Sequence, residues 1–231
     1  MSDTVSSPTE ELRHERKFMI QDYSAHEVEQ IIKYNPACFS EIYHQRKVNN
    51  IYFDSLGFRN YYANTEGDVD RVKARIRWYG DLFGAITEPV LEFKIKKGLL
   101  GKKEYYKLSS FHLSEAFSRK EILEAVQNAA VPVYVRDYMA SVYPAILNSY
   151  SRKYFLSADK QFRVTIDKEM EFYRISYVGN TFLNRVKISD VVLELKYDVA
   201  QEINAHRISS YFPFALTKNS KYLQGVERTL F

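Results

Sequence analysis

Six segments of this chain alternate ionisable and apolar residues with a period of two, and that pattern commits it to a sheet with one charged face. The clearest is DRVKARIRWYG (70–80), where Arg71, Lys73, Arg75 and Arg77 occupy every second position and Val72, Ala74, Ile76 and Trp78 lie between them. Successive side chains of a strand point to opposite faces, so the four cations share one face. On this segment alone, a solvated face accounts for the pattern as well as a binding face does. Solvated strands, however, ordinarily mix Thr, Ser, Glu and Lys, because like charges side by side repel. Four cations without an anion therefore call for something negative opposite.

The other segments repeat the pattern. In HERKFMI, Glu15 and Lys17 share a face; in VLEFKIKK, Glu92, Lys94 and Lys96 oppose Leu91, Phe93 and Ile95. Arg152 lies with Tyr150 and Tyr154 in SYSRKYF. Arg163, Thr165 and Asp167 oppose Phe162, Val164 and Ile166 in FRVTID, and Glu194 and Lys196 oppose Val191, Leu193, Leu195 and Tyr197 in VVLELKYD. KVNNIYFDS (47–55) reads as a strand, and KKEYYKLSS (102–110) as the return of a hairpin over a four-residue GLLG loop. QFRVTIDKEM (161–170) and EFYRISYV (171–178) read as two further strands. Helical spacing marks SAHEVEQIIKY (24–34), capped by Ser24, and LSEAFSRKEILEAVQNA, capped by Ser114. It also marks VYVRDYMASVY, stopping at Pro144, and the two late segments AQEINAHRISSYF and TKNSKYLQGVERTLF. GFRNYYANTEG reads as a short helix or turn. The count is about eight or nine strands and four or five helices, and the short connections predict an antiparallel sheet in an α+β fold.

An antiparallel sheet of this kind can curl into a barrel. Small soluble barrels usually keep charge outside and an apolar core inside, but four or five amphipathic helices need apolar sheet surface to pack on. That favours the ionisable faces pointing into a basic lumen. Such a lumen needs anions, most simply phosphates, for which Arg offers bidentate contacts and Lys a point charge.

Composition narrows the alternatives. The 231 residues carry 33 basic and 29 acidic side chains, a net charge of +4, so a strong positive field must come from arrangement. This is poor support for a nucleic-acid binder, and no nucleic-acid partner is expected. The single cysteine, Cys38, excludes an internal disulfide, and the five histidines lack metal-ligand spacing. GLLGKK does not satisfy the phosphate-loop pattern and sits at a hairpin turn. Trp78 and the many tyrosines are expected to pack rather than stack on bases. The polar start MSDTVSSPTEEL lacks a signal-type apolar stretch, and no run approaches the roughly 20 apolar residues of a membrane span. The expectation is a soluble cytoplasmic protein, with residues 1–11 a disordered tail and 12–231 a single domain.

Taken in order, ERKFMI, IYFDS, KARIRWYG, LEFKIKKG, YSRKYF, FRVTID, LELKYD and TKNSKYLQGV resemble the VTC domain, the catalytic domain of the vacuolar transporter chaperone polyphosphate polymerase. The VTC domain belongs to the triphosphate tunnel metalloenzyme superfamily. The resemblance runs from about residue 13 to 226 and implies an eight-stranded antiparallel β-barrel forming a tunnel, flanked by helices. By motif position, Lys17 matches the basic residue of the first strand, Arg75 and Arg77 the R-x-R pair, and Lys94 the lysine of the E-x-K strand. Arg152 and Arg163 match the later tunnel arginines, and Glu194 the metal-binding glutamate, with Lys196 beside it. Lys218 and Lys221 match a K-x-x-K pair on the closing helix, where i and i+3 lie on one face. Whether Lys102 or Lys103 points inward stays open.

The sequence departs from related patterns in three places. The cyclase and thiamine-triphosphatase branch carries E-x-E-x-K in the first strand; here those positions read Arg13, Glu15 and Lys17, which favours the polymerase branch. Asn219 replaces the usual aromatic of the K-x-S-K motif. No SPX sensor domain or membrane anchor of the eukaryotic complex is recognised, so transport would need a membrane-protein partner.

The resemblance implies transfer of the γ-phosphate of ATP to inorganic polyphosphate. Lys17, Arg75, Arg77, Lys94, Arg152, Arg163, Lys196, Lys218 and Lys221 are the expected phosphate ligands, and Glu194 the ligand of Mn²⁺ or Mg²⁺. Arg75, Arg77, Glu194 and Lys221 are the expected catalytic set. Glu15, Glu92 and Asp167 stand between assisting the metal and pairing with a cation. A tunnel triphosphatase and a non-catalytic polyphosphate or nucleotide sensor are the alternative readings.

Overall fold

The computed structural model describes residues 13–68, 70–97, 100–176, 182, 184–218 and 220–230. The segment expected to be a disordered tail, 1–11, lies outside them. The strands are β1 (Arg13–Ile20), β2 (Ser40–Asp54), β3 (Arg71–Tyr79), β4 (Gly84–Ile86), β5 (Val90–Lys97), β6 (Leu100–Lys107), β7 (Phe111–Leu113), β8 (Tyr143–Leu156), β9 (Phe162–Arg174), β10 (Arg185–Ile188) and β11 (Val191–Asp198). The helices are α1 (Ala25–Lys33), α2 (Arg59–Thr65), α3 (Arg119–Gln127), α4 (Val133–Ser141), α5 (Glu202–Ser209) and α6 (Lys221–Leu230), with a 3₁₀ turn over Val199–Gln201. None is long and apolar enough to cross a membrane.

Among the described residues the main sheet has nine strands, in the order β1-β11-β9-β8-β2-β3-β5-β6 with β10 on β9; β4 and β7 form a separate pair. The pairings β1/β11, β9/β10, β2/β3, β3/β5 and β5/β6 are antiparallel, as the short connections require. The α+β class is as expected. The closed eight-stranded barrel is not found: among the described residues the pairing path is open and ends at β1 and β6.

The chain divides into two compact units. The first comprises Met1–His44, Lys153–Ile166 and Val191–Lys218; the second comprises Gln45–Arg152, Asp167–Asp190 and Asn219–Phe231. In the first, the apolar faces of β1, β9 and β11 bury Phe18, Phe162, Val164, Leu193 and Leu195 against Val28 and Ile32 of α1 and Ala205 of α5. In the second, Ala74, Ile76 and Trp78 of β3 and Leu91 and Phe93 of β5 share a core with Ile122 and Val126 of α3 and Val135 and Met139 of α4. The apolar half of each alternating strand is thus buried, and the helices cover it.

Local chemistry explains the boundaries. Ser24 caps α1 through a capping box with Glu27: the Glu27 amide donates to Ser24 Oγ (3.3 Å) and the Ser24 amide to Glu27 Oε2 (2.7 Å). α3 starts later than expected, at Arg119, because Ser118 and Glu121 form the box there; Ser114 instead accepts from the Phe117 amide in a turn after β7. Residues 161–176 are not two strands but mainly the single strand β9, and the end of the second expected strand, 177–178, lies outside the described residues. No Gly, Pro or Asn interrupts β9, and the local departure is confined to Glu169 at φ 55°. The hairpin is tighter than GLLG suggested, since Lys97 already pairs with Leu100. β4, β7 and β10, of three or four residues each, are too short to show a period.

Candidate functional site

In the second unit, register converts the alternation of single strands into rows across the sheet. Lys73 of β3 pairs with Lys94 of β5, and Lys94 pairs with Lys103 of β6, so three lysines lie side by side on one face. Lys102 pairs with Ile95 on the other face and holds Glu104 at 2.6 Å. Of the two hairpin lysines, Lys103 is therefore the one on the cationic face. Adjacent strands lie about 5 Å apart, and like charges directly opposite one another are unfavourable without a counter-ion.

The next row is Arg75 opposite Glu92, and both Arg75 and Arg77 use that carboxylate. Arg75 donates from Nε (2.7 Å) and Nη2 (2.5 Å) to Glu92 Oε2, while Arg77 Nη1 lies 3.4 Å from Oε1. Arg77 also donates from Nε to Asn50 Oδ1 (2.9 Å) and from Nη2 to the Tyr150 hydroxyl (3.4 Å). Asn50 donates to Asn148 (3.4 Å), and Asn148 to the Glu171 carbonyl (3.1 Å), so a chain of buried amides orients Arg77.

β8, β9 and α6 supply the rest. Arg152 donates from Nε and Nη2 to the two oxygens of Asp167 at 2.5 and 2.7 Å, and Lys221 Nζ reaches Asp167 Oδ2 at 2.6 Å. The Asp167 side chain is 0 % exposed, and those of Arg152 and Lys221 are each 9 % exposed. The Tyr150 ring packs against both cations, with Arg152 5.2 Å and Lys221 4.8 Å from its centroid. Tyr150 thereby joins the Arg77 group to the Arg152 group.

Four cations, Arg75, Arg77, Arg152 and Lys221, thus meet the carboxylates of Glu92 and Asp167. Burial works against charge on Arg75, but the Glu92 carboxylate outweighs it and holds the guanidinium above its usual range. Burial likewise favours the neutral form of Glu92, yet Arg75 and Arg77 prevail and its pKa falls below the ordinary carboxylate value. For Tyr150, burial raises the phenol and the positive charges of Arg152 and Arg77 outweigh it, so its pKa lies below that of a free tyrosine. The lowered Glu92 and Tyr150 report the positive charge of the neighbouring arginines, and the raised Arg75 reports the carboxylate beside it.

The first unit holds a separate charged ladder. In the β1/β11 register Lys17 is opposite Glu194 and Glu15 is opposite Lys196. Lys17 Nζ lies 2.9 Å from Glu15 and 3.5 Å from Glu194, and Lys196 lies 3.2 Å from Glu194. The Glu194 side chain is only 7 % exposed. Arg163 is exposed on the face it shares with Thr165, and the Thr165 hydroxyl is buried without a hydrogen-bond partner among the described residues. Lys218 is also exposed and does not share a helical face with Lys221. α6 begins only at Lys221, and Lys218 belongs to the segment before it.

Among the described residues no group of three or more His, Cys, Asp or Glu could hold a metal ion. The donors that do exist, Glu194 and Glu15 about a shared lysine, are hard oxygens. They suit a divalent ion that takes its remaining ligands from water and phosphate. Asp167 and Glu92, left open from the sequence, are cation partners in this structure.

Asn50 and Asn148 were not singled out as positioning groups from sequence. The signal for the two asparagines was available: amides inside VNNIYFD and ILNSY, where a strand interior ordinarily avoids Asn.

The chain therefore has a mainly antiparallel α+β fold that presents a cationic strand face with embedded counter-ions. The VTC domain model matches residues 12–230, and the chain belongs to that family. A "putative adenylate cyclase" from Bacillus halodurans is similar in fold, with a TM-score of 0.54 and 16 % identity over 96 % of this chain and 98 % of that one. The PH1819 protein of Pyrococcus horikoshii OT3 aligns with a TM-score of 0.50 and 11 % identity, covering 93 % of this chain and 99 % of that one. A comparison with curated proteins returns no match.

Proposed function

We propose that the protein is a polyphosphate polymerase that transfers the γ-phosphate of ATP to the end of an inorganic polyphosphate chain. The observation that carries this reading is the cross-strand row Lys73–Lys94–Lys103 beside Arg75 and Arg77. It is an array of cations at strand spacing, suited to successive phosphates of a chain rather than to one isolated anion.

A terminal oxygen of the polyphosphate attacks Pγ of ATP, the bond from Pγ to the β–γ bridging oxygen breaks, and ADP leaves carrying that oxygen. The attacking oxygen is already anionic, so the step needs no strong general base, and catalysis consists of alignment and charge neutralisation. Arg75, Arg77, Arg152 and Lys221, with Lys94 and Lys103, bind phosphate oxygens. Lys17, Arg163, Lys196 and Lys218 are assigned to the same task by their match to the family motifs. Glu194, aided by Glu15, would hold Mg²⁺ or Mn²⁺, which when bound neutralises charge on phosphate oxygens. The reading includes a cytoplasmic location and, if transport accompanies synthesis, a membrane-protein partner.

The test is incubation of the purified protein with ATP and Mn²⁺, following ADP, orthophosphate and polyphosphate together by gel and phosphate assay. A growing polyphosphate ladder with stoichiometric ADP and little orthophosphate is expected, and Arg75→Ala should abolish nucleotide binding. Orthophosphate without chain growth would replace the reading with a hydrolase. Tight ATP binding without turnover would replace it with a sensor.

A further inference from the structure

Asp54 ends β2 and is 1 % exposed. Its Oδ1 accepts from the amides of Ser55 (2.7 Å) and Asn60 (2.8 Å), and its Oδ2 from the amide of Tyr61 (3.0 Å). The residue at the cap position of α2, Phe58, has φ 55° and no side-chain capping bond, so Asp54 satisfies that helix start from outside it. The same Oδ2 accepts a short hydrogen bond from the Tyr222 hydroxyl of α6. One buried carboxylate therefore ties the end of β2 to two helices.

Tyr222 directly follows Lys221, the cation that reaches Asp167. Its ring also packs on Tyr52 at 5.7 Å between centroids, and Tyr52 is the cross-strand partner of Arg75. One turn on, Gly225 brings α6 against the sheet so closely that an added Cβ would lie 2.7 Å from Ile146 Cγ2 and 2.8 Å from Phe172 Cδ1. Residues four apart share a helix face, so Lys221 and Gly225 face the sheet together. Gly225 sets how near α6 stands, and the Tyr222–Asp54 bond sets its rotation. A turn of about 10° would move a side-chain head ~6 Å from the helix axis by about 1 Å, enough to spoil alignment for phosphoryl transfer.

We propose that Asp54 is a positioning residue for the phosphate site: through Tyr222 it fixes the rotation of α6 and so the placement of the Lys221 ammonium. The inference rests on the reading of Lys221 as a phosphate ligand. Asp54 touches no phosphate and transfers no proton; it acts only through the helix.

The test is a double-mutant cycle read by calorimetric titration of the full chain with inorganic tripolyphosphate, with thermal melting to establish that each variant is folded. Tyr222→Phe keeps the ring and deletes the hydroxyl. It is expected to weaken binding about 3- to 30-fold in the parent, and less than about 2-fold in a Lys221→Met background, because the two changes remove one coupled contribution. Equal losses in both backgrounds, or no loss in the parent, would overturn the proposal. If Lys221→Met itself leaves binding intact, the assignment of Lys221 falls and the proposal with it. A loss in Arg75→Ala would then show that the remainder of the phosphate site stands.

Discussion

Neutralising Asp167 as Asp167→Asn separates the electrostatic reading of the site from a merely structural one. In the folded protein this carboxylate has no exposed side-chain surface and takes three short contacts, two from Arg152 and one from Lys221. The amide would take from two nearly buried cations the carboxylate that they share. Removing one partner of a buried ion pair costs about 3–5 kcal/mol. For a chain of this size each kcal/mol lowers Tm by about 2–4 °C, so scanning calorimetry should show a fall of ~6–20 °C. The two released cations should bind tripolyphosphate more tightly than in the parent, and the ligand should raise the Tm of the variant by more than it raises that of the parent. A variant as stable as the parent, or one that binds tripolyphosphate more weakly, would refute the view that Asp167 is the resident counter-ion. Weaker binding that is recovered only at high Mn²⁺ would instead make it a metal ligand.

Two further changes test local chemistry. Ser118→Ala removes the α3 cap and should cost about 0.5–2 kcal/mol in denaturant unfolding, whereas Ser114→Ala should change stability by less than about 0.5 kcal/mol; the reverse order would move the start of the helix. Glu202 is held at a pKa of about 2 by hydrogen bonds from His14, Arg16 and Tyr197, against an ordinary value of 4.5. Because the folded value is depressed, its stabilisation is complete above pH 4.5 and is lost as pH falls towards 2. Acid unfolding of Glu202→Gln should therefore be flatter than that of the parent across this window, and identical acid limbs would refute the contribution.

What could be read from the sequence was what is local. A period of two identifies which side chains share a face. Arg75 with Arg77, Glu15 with Lys17 and Glu194 with Lys196 all fall on common strand faces as that period requires. Capping boxes are equally local, although LSEAFSRKE offers two serines and only the one with Glu three residues later forms the box. Register is not local. The choice of Lys103 over Lys102 depends on which residues of β5 and β6 lie opposite, and that is set by a turn and by packing on α4. The role of Asn50 depends on Arg77, 27 residues away, and on Asn148, 98 residues away. The closing pair failed for a related reason: K-x-x-K spacing implies a shared face only within a helix, and the helix starts at the second lysine.

The counter-ions change how the site is understood to bind. From sequence alone, a face carrying so many cations should be unstable without its ligand. The structure answers with Glu92 between Arg75 and Arg77, and with Asp167 between Arg152 and Lys221. On the proposed function, phosphate binding at these positions would be an exchange, in which the polyanion competes with carboxylates that already satisfy the geometry of each guanidinium. Exchange leaves the cations placed before the ligand arrives, so little side-chain ordering remains to oppose binding. It would also lower the net affinity per phosphate, as the proposed polymerase requires of a chain that must advance. Asp167, with both oxygens engaged by cations, has little left to offer a metal ion. On the proposed function the divalent ion would instead be held at the Glu194 and Glu15 ladder, where the lysines lie 3.2 and 3.5 Å from Glu194 and Lys17 lies 2.9 Å from Glu15.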